Sequence, residues 1–116
     1  MTAEEYARRI LPELVKVAKA RETITYGELA PRIGTHHRPL AHGLGYIRDH
    51  WCDPEGIPQI NVLVVNKGTH VPGASYLPTG THGQPFDWIW RDFEARRDEV
   101  WAYQGWDALL KTYGLD

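Results

Sequence analysis

The sequence predicts a mainly helical α/β domain: three helices, a short β-hairpin and a C-terminal helical extension. Three observations lead there. Two Thr-x-x-Glu boxes, Thr2–Glu5 and Thr25–Glu28, each precede apolar residues at helical spacing. A short β-branched run, Ile60 to Val65, lies between the turn-forming Asp53-Pro54-Glu55-Gly56 and Asn66-Lys67-Gly68. From Asp87 onward, apolar side chains again recur with the period of a helix.

The elements follow in order. Thr2 caps a first helix over about residues 3–21, whose inward side is Tyr6, Ile10, Leu14, Val17 and Ala18. Pro12 lies inside it and removes one intrahelical hydrogen bond, which predicts a kink or a fresh start there. Thr25 opens a second, short helix with Tyr26, Leu29, Ala30 and Ile33 inward, and Gly34 is placed to end it. His36-His37-Arg38 forms the turn. Pro39 suits the first position of a third helix, residues 39–50, which buries Leu40, Leu44, Ile47 and Trp51. Ile60–Val65 is the first strand of the hairpin, and Thr69–Tyr76 its return strand, interrupted by Pro72-Gly73. Residues 77–85 are loop by composition. The last helix starts at Asp87, is interrupted at Gly105, resumes through Trp106, Leu109, Leu110 and Tyr113, and stops at Gly114.

Three helices followed by a two-stranded wing constitute the winged form of the helix-turn-helix, in which the helix after the tight turn enters the major groove. The chain of 116 residues is long enough for one domain, with 1–76 as the winged-helix-like part and 87–114 as a Trp-rich extension. Hydrophobic residues make up 42% and charged residues 24%, a balance that excludes disorder, collagen and coiled coil. The longest apolar run, Val62–Val65, is far too short to cross a membrane. The opening MTAEEYARR is acidic and amphipathic, unlike a signal peptide. One cysteine, Cys52, precludes an internal disulfide, and a cytoplasmic setting is expected.

Net charge is −2 with six histidines neutral, so no global pull on nucleic acid exists. The distribution is uneven. Residues 87–116 hold four basic and seven acidic side chains, whereas residues 32–50 hold Arg32, Arg38 and Arg48 against Asp49 alone, together with His36, His37, His42 and His50. That segment is the candidate for meeting phosphate; its bland alternative is a mildly basic solvated face.

The pieces Ile24-Thr25-Tyr26-Gly27-Glu28-Leu29-Ala30, Leu40-Ala41-His42-Gly43-Leu44-Gly45, Val64-Val65-Asn66-Lys67-Gly68 and Gly73 to Tyr76 resemble the winged-helix domain of the O6-alkylguanine DNA alkyltransferases and their alkyltransferase-like relatives. The likeness covers about residues 5–76. It implies a DNA-binding fold in which Tyr26 packs against phosphate. The family's nucleophilic cysteine lies in a Pro-Cys-His-Arg run, and the matching places here hold Ile60, Asn61, Val62 and Leu63. Asn61 offers no thiolate, so the resemblance implies binding without alkyl transfer. The family's helix arginine is also missing around Leu40 and Ala41, with Arg38 the nearest substitute. The region 87–116 has no counterpart.

The residues expected at nucleic acid are Tyr26, Arg38 and His42, with Arg48 near the far end of the third helix and Lys67 at the tip of the wing. The expected partner is a DNA duplex. A small histidine-dependent nucleic-acid hydrolase is an alternative, resting on His70 and His82, although no catalytic motif accompanies them. A second alternative is an interaction module that forms a homodimer through the tryptophans of 87–114. No cofactor or metal is expected: His50 and Cys52 stand two apart, with no second close pair of ligands.

Overall fold

The computed structural model of the chain describes residues 1–72 and 86–116. Five α-helices and one two-stranded parallel sheet organise them. In order these are α1 (Ala3–Lys19), β1 (Ile24–Thr25), α2 (Tyr26–Ile33), α3 (His37–Tyr46), β2 (Val64–Val65), α4 (Phe86–Ala102) and α5 (Trp106–Thr112). A π-helical turn, Ile47–Cys52, continues α3, and 3-10 turns occupy Asp53–Glu55 and Ile60–Leu63.

α1 is the spine. Thr2 and Glu5 form the capping box that the sequence predicts: the Thr2 hydroxyl accepts from the Glu5 N–H at 3.2 Å and the Glu5 carboxylate accepts from the Thr2 N–H at 3.3 Å. The helix runs unbroken through Pro12 to Lys19, so no fresh start occurs there. Its buried residues, Ala7, Ile10, Leu11, Leu14, Val15, Val17 and Ala18, cover more than one face. That breadth lets α1 receive α2, α3, α4, α5 and the Ile60–Leu63 turn together. Phe93 and Val100 of α4 and Trp106, Leu109 and Leu110 of α5 join the same buried cluster, so the Trp-rich segment completes the core that α1 begins.

Among the described residues the first strand of the expected hairpin is shorter than the sequence suggests, and its partner is β1. Ile60–Leu63 coils into a 3-10 turn, and only Val64–Val65 is extended. Those two residues pair in parallel with β1, Ile24 opposite Val64 and Thr25 opposite Val65. The reason lies in burial on all sides. Ile60, Val62, Leu63, Val64 and Val65 are each at most 1% exposed, so the run is an interior plug and not a solvent-faced ribbon. A short continuous apolar run carries no period that separates these cases. After β2 the Asn66 N–H donates to the Val71 carbonyl (2.9 Å) and the His70 N–H to the Asn66 carbonyl (2.8 Å), which makes residues 66–71 a closed turn. The second half of the expected return strand, 73–76, lies outside the described residues, as does the 77–85 loop.

Trp51, Trp101 and Trp106 serve the chain's own packing. The Trp106 indole N–H donates to the Val100 carbonyl (3.0 Å), and the Trp101 indole N–H to the Glu22 carbonyl (3.1 Å). Trp51 stacks on Tyr113 with centroids 4.4 Å apart. Among the described residues Met1 is the one large hydrophobic side chain left exposed, and no helix is long and apolar enough to cross a membrane.

Candidate nucleic-acid interface

The turn between α2 and α3 is built by local chemistry on both sides. The Thr25 hydroxyl accepts from the Glu28 N–H and the Glu28 carboxylate accepts from the Thr25 N–H, both at 3.1 Å. The Thr25 backbone N–H and the Thr25 side chain, aided by Arg32, hold the Glu28 carboxyl below its ordinary range. α2 ends at Gly34, whose φ of 72° is the left-handed conformation that favours glycine. The Thr35 N–H returns to the Ala30 carbonyl at 3.0 Å and closes the helix end.

α3 starts at His37, two residues earlier than Pro39 suggests. Pro39 occupies the third helical position, where the missing N–H is one that the helix leaves unpaired in any case. The shift brings His37 and Arg38 onto the helix itself. Leu40, Gly43 and Leu44 form the buried face. Gly43 permits close seating: a Cβ there would lie 2.6 Å from Ile10 Cδ1, 2.9 Å from Tyr6 Cβ and 3.2 Å from the Ala7 nitrogen. With that face pinned to α1, His37, Arg38, Ala41 and His42 are directed to solvent. The helix has no acidic residue, and its first turn has no side-chain cap at His36. The unpaired N–H groups and the positive end of the dipole therefore lie beside His37 and Arg38.

The residues expected at nucleic acid divide accordingly. Arg38 and His42 stand one helical turn apart and exposed, and neither forms an ion pair among the described residues. Tyr26 is half-buried at the start of α2, with its ring 4.6 Å from that of His37, so the two helix starts meet there. Arg48 departs from this group. It lies in the π-helical turn, half-buried, and its guanidinium donates twice to Asp49 (2.8 and 3.2 Å). Those bonds raise the Arg48 guanidinium and lower the Asp49 carboxyl, so the pair presents little net charge. Lys67 is exposed in the turn after β2, the strand that packs against α2. His37 is the residue that sequence reasoning placed in the turn and missed as part of the face; only the exact helix start reveals it.

The other candidates separate as clearly. Asn61, at the position matching the family nucleophile, is 7% exposed, and its Oδ1 is buried with no hydrogen-bond partner among the described residues. Cys52 is fully buried, and burial pushes its thiol up to about 11, so it is no reactive nucleophile at neutral pH. His70 is exposed in the 66–71 turn with φ 58° and is bonded to no carboxylate; His82 lies outside the described residues. Among the described residues no three metal-ligating side chains converge. No family model, curated protein or solved structure matches the chain.

Proposed function

We propose that this protein binds duplex DNA non-covalently, as a helix-turn-helix of alkyltransferase-like type that performs no alkyl transfer. One observation carries the reading: α3 follows a tight turn and presents an outer face of His37, Arg38 and His42 with no acidic residue in the helix. In this reading Arg38 and His42 reach the groove, while Tyr26 and Lys67 contact the backbone. Arg48 is a positioning residue at most, because Asp49 already satisfies its guanidinium. The amide at Asn61 and the inert thiol of Cys52 support binding over transfer chemistry. The buried, unpaired cysteine also suits a cytoplasmic setting.

The test is fluorescence anisotropy with a labelled duplex at two salt concentrations. Affinity is expected to fall steeply with salt, because cation–phosphate contacts release counterions. Arg38→Gln should weaken binding about three- to tenfold and lower the slope of log K against log salt by about 0.9. Binding that ignores salt, or that survives R38Q unchanged, overturns the proposal.

A further inference from the structure

We infer that the outer face of α3 is an acid-switched polyanion site, gripping nucleic acid tightly only when its histidines carry protons. This rests on the DNA-binding reading above and adds its regulation. Between His36 and Tyr46 the fixed charge is one cation, Arg38, while three imidazoles, His36, His37 and His42, are exposed. Protonating those three changes the segment from +1 to +4. Across the chain, protonating all six histidines turns a net charge of −2 into +4, so the molecule reverses sign.

The groups packed around the face leave those imidazoles available. From α1, Glu4 sits beside the Tyr46 hydroxyl, and Arg9 donates to the Ile33 carbonyl (3.4 Å). From α2, Glu28 is engaged in its capping box, Arg32 is exposed, and the Tyr26 ring rests on His37. From the π-helical turn, Asp49 is taken by Arg48, and His50 stacks on Tyr46 with centroids 4.3 Å apart. Among the described residues these carboxylates have partners and none forms an ion pair with His36, His37 or His42.

The sign follows from linkage. Bound phosphate favours the imidazolium and raises its pKa. The added affinity is therefore present in acid and lost as pH rises.

The experiment is anisotropy with the same labelled duplex at about pH 8 and about pH 6, spanning the imidazole range. It uses the full chain and the variant H37Q/H42Q, with circular dichroism at both pH values. The wild type is expected to bind at least tenfold more tightly in acid, with a steeper salt dependence, and H37Q/H42Q to lose most of that difference. Equal, salt-dependent binding at both pH values overturns this inference and leaves the DNA-binding reading standing. Acid tightening that persists in H37Q/H42Q also overturns it, since the protons then act elsewhere. Absence of binding at either pH overturns both.

Discussion

Replacing Gly43 by alanine tests how α3 is held, and therefore why its outer face points where it does. Gly43 lies on the buried side of α3. A methyl group built there stands 2.6 Å from Ile10 Cδ1 and 2.9 Å from Tyr6 Cβ, against about 3.5–4.0 Å for a relaxed carbon pair. The Ile10 methyl is a chain end, but Ile10 is fully buried with core on every side, so it has little room to rotate. The other two neighbours are worse placed to yield: Tyr6 Cβ and the Ala7 nitrogen are parts of the α1 frame itself. The two helices must separate by several tenths of an ångström, or α3 must tilt. Overpacking of that kind costs about 1–3 kcal/mol. Alanine returns about 0.8–1 kcal/mol of helix propensity. The net expectation is a loss of up to about 2 kcal/mol, read as a fall of up to about 1 M in the urea midpoint. Gly45 supplies the internal control. Its Cβ would meet only the Arg48 Nη2, at 3.8 Å, so G45A should gain most of the propensity term and raise the midpoint. If G43A proves as stable as G45A, backbone-close seating of α3 on α1 is wrong, and so is the account of which residues face outward.

Two further predictions concern the cap and the interior. Thr25→Ala should destabilise by about 1 kcal/mol at neutral pH, through loss of the hydroxyl that caps α2. Glu28, whose carboxyl is lowered by its bonds to Thr25, stabilises the fold above its unfolded value, about 4.3, and ceases to as pH falls through its folded value. Urea midpoints from about pH 6 down to about pH 3 should therefore fall less steeply in E28Q than in the wild type; superimposable profiles would show that the carboxylate contributes nothing. Asn61→Leu replaces a buried oxygen that has no partner with an apolar group of similar size, and should raise stability by about 1 kcal/mol. A lower urea midpoint in N61L would mean that the amide is bonded in the folded protein.

Local chemistry was legible in the sequence where a few adjacent residues decide the outcome. Thr2 with Glu5 and Thr25 with Glu28 form the two predicted boxes, Gly34 and Gly56 take left-handed conformations at their stops, and Gly105 separates α4 from α5 before Gly114 ends the chain's last helix. What was not legible depends on partners far along the chain. Val64–Val65 pairs with β1, some forty residues earlier, and nothing in the run itself encodes that pairing. The π-helical turn at Ile47–Cys52 is likewise invisible, since its residues keep an apolar spacing compatible with an ordinary helix. In the site, Arg38 and Arg48 look equivalent as arginines. Only the position of Asp49 beside one of them pairs Arg48 internally, whereas Arg38 forms no ion pair among the described residues.

The placement of the acidic residues completes the case for a directional approach of DNA. Residues 87–116 carry −3 and residues 1–86 carry +1. If the acidic helices lay over α3, they would neutralise its outer face and exclude a polyanion. Instead α4 packs chiefly against the Ile60–Leu63 turn and α1, and α5 against α1, while α3 rests on α1, α2 and the π-helical turn. α1 therefore separates two charge regions: it receives the acidic helices and, through Gly43, the basic one. A chain with net charge −2 gains no attraction at a distance beyond the Debye length, about 10 Å at 0.1 M salt. Within that length the local field decides, and among the described helices α3 alone carries a cation with no carboxylate in the same helix. Weak attraction overall, joined to one favourable face, selects orientation more than affinity. That is why the protonation state of His37 and His42, and not the total charge, is expected to set how tightly the complex holds.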